Sequence, residues 1–260
     1  MSTGKQIVNL SNVLQERQYQ PGYQPPREDI VFTIQNENCG SAGNFICLSG
    51  LPKAGKTTFL TSIIASAFTH YNVFSMKLTV KNRIGYFDTE SSQFDFYKNI
   101  NRIRQIAGYI DLGTKFQAYN TRIDPYSMQR ALIEQYIFDY QPDVLVIDGL
   151  LDLVKNYNDE SESRALIDWL KFITAEHKML VVGCIHLGKK DNHTLGHFGS
   201  MVDRYAQSVL EIVRDLENDL YILKPKLLRS ARYFDPIAIQ LQGTEFVQVV
   251  APMEKPKNKK

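Results

Sequence analysis

The stretch GLPKAGKT, residues 50–57, constrains what this chain can fold into more than any other feature. It fits G-x-x-x-x-G-K-[ST], with Gly50, Gly55, Lys56 and Thr57 in the required places. Glycine lets backbone N–H groups turn toward phosphate oxygens where a Cβ would obstruct them, and a helix starting at the loop adds its positive end. Both flanks agree with that use. NFICLS (44–49) is a continuous apolar run of buried-strand length. Phe59, Leu60, Ile63, Ile64, Ala67 and Phe68 recur at helical spacing, which predicts an amphipathic helix over 57–69. Strand, loop and helix in that order call for an α/β fold. The candidate nucleotide-binding set is Gly50, Leu51, Pro52, Lys53, Ala54, Gly55, Lys56, Thr57 and Thr58. In such a loop the lysine, here Lys56, reaches the β- and γ-phosphates, and the Thr57 hydroxyl ligates magnesium. ATP and Mg2+ are the expected cofactors. Lys53 stands three residues before Lys56, and its expected role is an exposed loop charge.

The rest of the chain extends this pattern. Residues 1–29 are polar and proline-containing, which suggests an arm or linker rather than a packed element. Strands are expected at 30–34, 44–49, 83–88, 115–119, 143–148 and 179–186, with helices at 57–69, around 125–140 and near 162–176. Strands alternating with helices imply a mostly parallel sheet covered on both faces. After residue 205 the segments AQSVLEIVRD, DLYILKPK and PIAIQLQ…EFVQVV read as antiparallel hairpins that extend the sheet. The domain is therefore placed at 30–250, followed by a basic tail at 251–260. The three cysteines form no CxxC pair, which favours buried thiols in a reducing cytosol. The histidines show no metal-ligand spacing, so no zinc site is expected. A net charge of +2 leaves composition silent on nucleic acid, and no run of eighteen apolar residues suggests a membrane span.

Three further residues bear on the chemistry. Asp148 ends the apolar run DVLVID, where a carboxylate can hold the magnesium shell, usually through water. Glu90, in GYFDTESSQFD, sits two residues past a strand end and could orient and deprotonate a water for in-line attack on the γ-phosphate. In AAA+ ATPases that base adjoins the strand-end aspartate, but here Gly149 follows Asp148. His186 ends VVGCIH, where it could touch the γ-phosphate or the attacking water. Plainer readings stand beside these: a solvated loop acid for Glu90 and a strand-end loop residue for His186.

Together these motifs resemble the RecA-like ATPases, and among them the plasmid RepA-type hexameric helicases. Glu90 in FDTE is similarly placed to RecA's catalytic glutamate, and His186 to the γ-phosphate-sensing residue, which is histidine in RepA. LGHFGSMVDRYAQSVLEI (195–212) resembles RepA's Gly-Ser-rich turn, followed by a VD segment that runs into a strand. The resemblance spans about residues 30–245 and implies a RecA-like core with no collar domain before it. It also implies ring assembly, with a basic residue supplied by the neighbouring subunit. Lys224, Lys226, Arg229 and Arg232 are candidates, of which Lys226 and Arg229 are favoured; an edge strand guarded against aggregation is the plainer reading. Single-stranded DNA is the implied partner, contacted by Lys189, Lys190, His193 and His197 in the segment 188–200, which reads equally as an active-site lid. Replication or mobilisation proteins are further expected partners. The rival class is a nucleotide-switched regulatory ATPase in which ATP sets assembly without unwinding.

Overall fold

The computed structural model describes residues 10–188 and 196–252. In chain order its elements begin with α1 (Leu10–Glu16), β1 (Ile30–Ile34), β2 (Glu37–Ser41), β3 (Phe45–Gly50), α2 (Lys56–Ser66), β4 (Met76–Leu78) and β5 (Ile84–Asp88). Then come α3 (Gln93–Ile106), β6 (Phe116–Asn120), α4 (Tyr126–Tyr140), β7 (Val144–Asp148), α5 (Glu160–His177) and β8 (Leu180–His186). The chain closes with α6 (Gly196–Tyr205), β9 (Ser208–Asp215), β10 (Leu220–Leu228), β11 (Ile237–Gln242) and β12 (Glu245–Val249).

A nine-stranded sheet runs in the order β12-β11-β10-β9-β3-β8-β7-β5-β6. The strands from β9 to β6 are parallel, and β10, β11 and β12 continue the sheet antiparallel. This is the expected α/β architecture, a mostly parallel sheet with C-terminal antiparallel hairpins. The parallel strands β3, β5 and β7 are buried along their whole length, as strands covered on both faces must be. Successive side chains alternate between two cores. Val144 and Val146 face α2 and α3 with Leu60, Ile64, Phe96 and Ile103, while Leu145 and Ile147 face α4, α5 and α6 with Ile137, Leu170 and Phe198.

Several elements differ from the sequence expectation. A separate three-stranded sheet, β2-β1-β4, lies beside α2, and its Phe32, Ile34, Met76 and Leu78 join the α2 core. In consequence α2 is not amphipathic: every residue except Thr57 is buried. It also ends at Ser66, short of the expected residue 69. The helix α3 is absent from the sequence expectation, although Phe96, Ile100, Ile103 and Ile106 recur at helical spacing and pack on the α2 core. Its start is set by Ser92, whose hydroxyl accepts the Asp95 N–H. Instead of a Gly-Ser-rich turn, residues 196–205 form α6, and the VD pair lies inside it with Phe198, Gly199 and Val202 buried. The arm includes α1, which buries none of its residues. Among the described residues, no helix is long and apolar enough to cross a membrane.

Candidate functional site

Parallel strands that share a sheet all finish on one edge, and that edge is where the site forms. Gly50 at the end of β3 is in register with His186 at the end of β8, and Asp88 at the end of β5 with Asp148 at the end of β7. The loop 51–55 leaves β3 and returns as α2. Gly55 takes φ 100°, and a Cβ there would lie 2.4 Å from the Tyr221 ring, so glycine is required on both counts. Lys53 is exposed, as expected of a loop charge.

Lys56 is buried, and its ammonium is held by three acceptors. Nζ donates to the carbonyls of Gly50 and Leu51 at 3.1 Å each and lies 3.0 Å from His186 Nδ1. With Nδ1 accepting from the ammonium, the His186 proton sits on Nε2, which faces the Glu90 carboxylate at 3.0 and 3.3 Å. Three residues proposed from separate segments, the start of α2, the end of β8 and the loop after β5, therefore form one chain, Lys56–His186–Glu90.

Thr57 Oγ1 donates to Asp148 Oδ2 at 2.7 Å. Burial pushes the Asp148 carboxyl up to about 7; the Thr57 hydroxyl opposes the shift, and the nearby Asp88 and Glu90 charges add to it. A hydroxyl and a carboxylate form an oxygen-only donor pair suited to a hard cation, and the surrounding negative charge favours one. Mg2+ fits these residues: Thr57 and Asp148 would hold it, and it would neutralise charge on the β- and γ-phosphates. Among the described residues there is no cluster of three or more His, Cys, Asp or Glu side chains that could hold a metal by themselves.

Sequence reasoning missed several residues that shape this edge. Asp88 is fully buried; its Oδ1 accepts the N–H groups of Glu90 (3.2 Å) and Ser91 (2.8 Å), and its Oδ2 accepts the Tyr86 hydroxyl (3.1 Å). Thr89 and Asp152 meet beside Gly149. Burial raises the Asp152 carboxyl above its usual range, with the Thr89 hydroxyl opposing. Asp152 lies in a short 3-10 turn, Leu150–Leu153, and nothing in DGLLDL marks it from sequence. Arg102 reaches from α3 to Thr58 Oγ1 at 3.4 Å and lies over the Phe246 ring, flanking the start of α2. A cleft of about 330 Å³ opens on the β9 side of the loop, lined by Leu51, Pro52, Leu187, Ile212 and Arg214 among others.

The basic candidates lie elsewhere. Ile212 of β9 pairs with Gly50, whereas Leu228 at the end of β10 pairs with Ser208 at the start of β9. Lys226 and Arg229 therefore sit toward the opposite end of the sheet from this chain's own phosphate loop. Lys226 Nζ is bound to both Asp203 oxygens at 3.0 and 2.8 Å, Lys224 lies 3.5 Å from Glu211, and Arg229 is exposed. Arg232 is exposed as well. His197 is exposed in the first turn of α6; Lys189, Lys190 and His193 lie outside the described residues. The three cysteines are buried free thiols.

A phosphate loop on a sheet of this topology, with a strand-end aspartate facing the loop threonine, defines a P-loop ATPase of RecA-like fold. The sequence over residues 15–192 matches the family described as AAA domain, and this chain belongs to that family. No curated protein matches the chain in sequence. The fold is similar to the crystal structure of a KaiC-like protein from the hyperthermophilic archaeon Pyrococcus horikoshii OT3, with TM-score 0.61 and 14% identity over 87% of this chain and 100% of that one. It is also similar to the flagellar accessory protein FlaH from Methanocaldococcus jannaschii, with TM-score 0.58 and 14% identity over 81% of this chain and 91% of that one.

Proposed function

We propose that this protein hydrolyses ATP with Mg2+, using Glu90 as the general base, and that it does so as an oligomeric motor on single-stranded DNA of the RepA-type helicase kind. The observation that carries the reading is the Lys56–His186–Glu90 chain. A γ-phosphate arriving at Lys56 takes that ammonium from His186 Nδ1. His186 is then free to report the phosphate to the segment that follows it, residues 188–200, with its basic side chains. Glu90, released from sharing His186 with the lysine, is the carboxylate beside the phosphate able to accept the proton of an attacking water. Lys226 and Arg229 would act on the ATP of an adjoining subunit, and rings of six would concentrate the positive charge of the 188–200 segments around the strand. Replication or mobilisation proteins are the expected partners, and the cytosol the expected compartment.

A second reading is favoured by the two similar folds, one a KaiC-like protein and the other a flagellar accessory protein. In it, the same site is a nucleotide switch that sets assembly and protein partners without strand separation. One experiment separates the two: ATPase rate with and without single-stranded DNA, with molecular mass by light scattering in each nucleotide state. The motor predicts stimulation by the strand in an assembled oligomer. Unstimulated turnover in a well-formed assembly would contradict it and select the switch.

A further inference from the structure

Glu90 hangs from a short loop, and the reading of Glu90 as base leaves open what keeps that loop in place. Thr89, next to it, is buried, and its polar groups face the end of β7. Its backbone N–H donates to the Asp148 carbonyl at 3.2 Å. Its hydroxyl lies 2.9 Å from the same carbonyl, 3.2 Å from the Gly149 carbonyl and 2.7 Å from Asp152 Oδ2. A hydroxyl has one proton to give, and the nearest acceptor is the Asp152 carboxylate.

Gly149 is an independent sign that this contact is built. It holds φ 116°, and a Cβ there would fall 2.3 Å from Thr89 Oγ1, 2.9 Å from Asp152 Oδ2 and 3.0 Å from Glu90 Cγ. The position that carries the base in Asp-Glu ATPases must here be bare, because the loop from β5 occupies its space. The carboxylate read as the base comes from the loop after β5 instead of from β7, and the bare Gly149 leaves room for that loop.

We infer that Thr89 and Asp152 are positioning residues for Glu90, fastening its loop to the turn after Asp148 so that base and metal ligand keep a fixed separation. This rests on the reading of Glu90 as the base. Asp88 braces the same loop from the β5 side through the Glu90 and Ser91 amides, so the loop is held at both flanks.

The test is a mutant cycle on the full chain, read by steady-state ATPase, ATP affinity and melting temperature. Thr89→Val, which keeps the shape and removes the hydroxyl, should lower kcat on the order of 10²-fold, the loss that a misplacement of about 1 Å brings. KM for MgATP and the ATP dissociation constant should stay within about twofold, since the loop does not bind the nucleotide. Thr89→Ser restores the hydroxyl and should recover kcat to within about threefold. In a Glu90→Gln background, Thr89→Val should cause no further loss, because a residue that acts through Glu90 has nothing left to position. Should Thr89→Val fail to fold, Asp152→Ala carries the same comparisons.

Three outcomes overturn the inference. Thr89→Val with wild-type kcat, or equal losses in the Val and Ser variants, removes the positioning role and leaves Glu90 as the base. A loss that multiplies with that of Glu90→Gln does the same. If Glu90→Gln itself turns over at the wild-type rate, the base assignment fails first and the positioning role falls with it.

Discussion

At the C-terminal edge of the parallel strands, Lys56, Glu90, Asp148 and His186 come from four separate elements and meet at hydrogen-bond distance, or through Thr57 in the case of Asp148. On the antiparallel ribbon of β9 and β10, the charged residues pair within their own neighbourhood instead: Lys226 with Asp203 and Lys224 with Glu211. The difference follows from strand direction. Parallel strands all deliver their last residues to one edge, so chemistry scattered along the chain converges there. Antiparallel strands end on alternate edges, so a basic residue on β10 finds a local acid or solvent, and gains a phosphate only if another molecule brings one.

Breaking the first region should have the largest effect. Lys56→Ala removes the ammonium that ties the loop carbonyls to His186, and ATP binding or turnover should fall below detection; retained turnover would mean that the phosphates are held elsewhere. Next is the second region. In an assembled oligomer, Lys226→Ala or Arg229→Ala should cut turnover on the order of 10³-fold if either serves a neighbouring site. The Lys226 variant should lose only about 1 kcal/mol of stability, the worth of a part-buried ion pair. Wild-type turnover in both variants would leave Lys226 with its ion pair to Asp203 and rule out either residue as the neighbour's basic group.

A smaller loss is expected from Gly149→Ala. It places a methyl group against Thr89 and Glu90 at a φ that alanine rarely adopts, which should lower kcat about 10²-fold and cost on the order of 1–3 kcal/mol. A pH effect on stability, with no counterpart in turnover, is expected in the nucleotide-free protein. Asp148 has a folded value of about 7 against an ordinary 3.8, so its contribution to stability is complete below pH about 4 and is lost as pH rises through about 7. The melting temperature of wild type should fall over that window relative to Asp148→Asn, and parallel curves for the two proteins would contradict the shift.

The fold was legible where a residue's neighbours on both faces are apolar. β3, β7 and β8 stand out as unbroken hydrophobic runs because the sheet is covered on both sides, and the loop after β3 is fixed by the glycine pattern. Thr57, Asp148, Glu90 and His186 were legible because each sits at or just past such a run. Others were not: β4 is only three residues long, and α3 was missed although Phe96, Ile100, Ile103 and Ile106 recur at helical spacing. α2 misled because the covering sheet buries threonines and serines that read as a solvent face. Asp88, Thr89 and Asp152 left no pattern because their roles come from contacts between loops on different strands. In the sequence Gly149 stands out as the lack of a glutamate; in the structure that lack is a space filled by the loop after β5.

The central claim is that the attacking water is activated from the end of β5 rather than from the residue after Asp148. Glu90→Gln, assayed for ATP binding and for hydrolysis in the same preparation, tests it most directly. The account predicts an ATP dissociation constant within about twofold of wild type and a kcat lower by at least about 10²-fold, the usual loss of a general base. Turnover near the wild-type rate in that variant would place the base elsewhere.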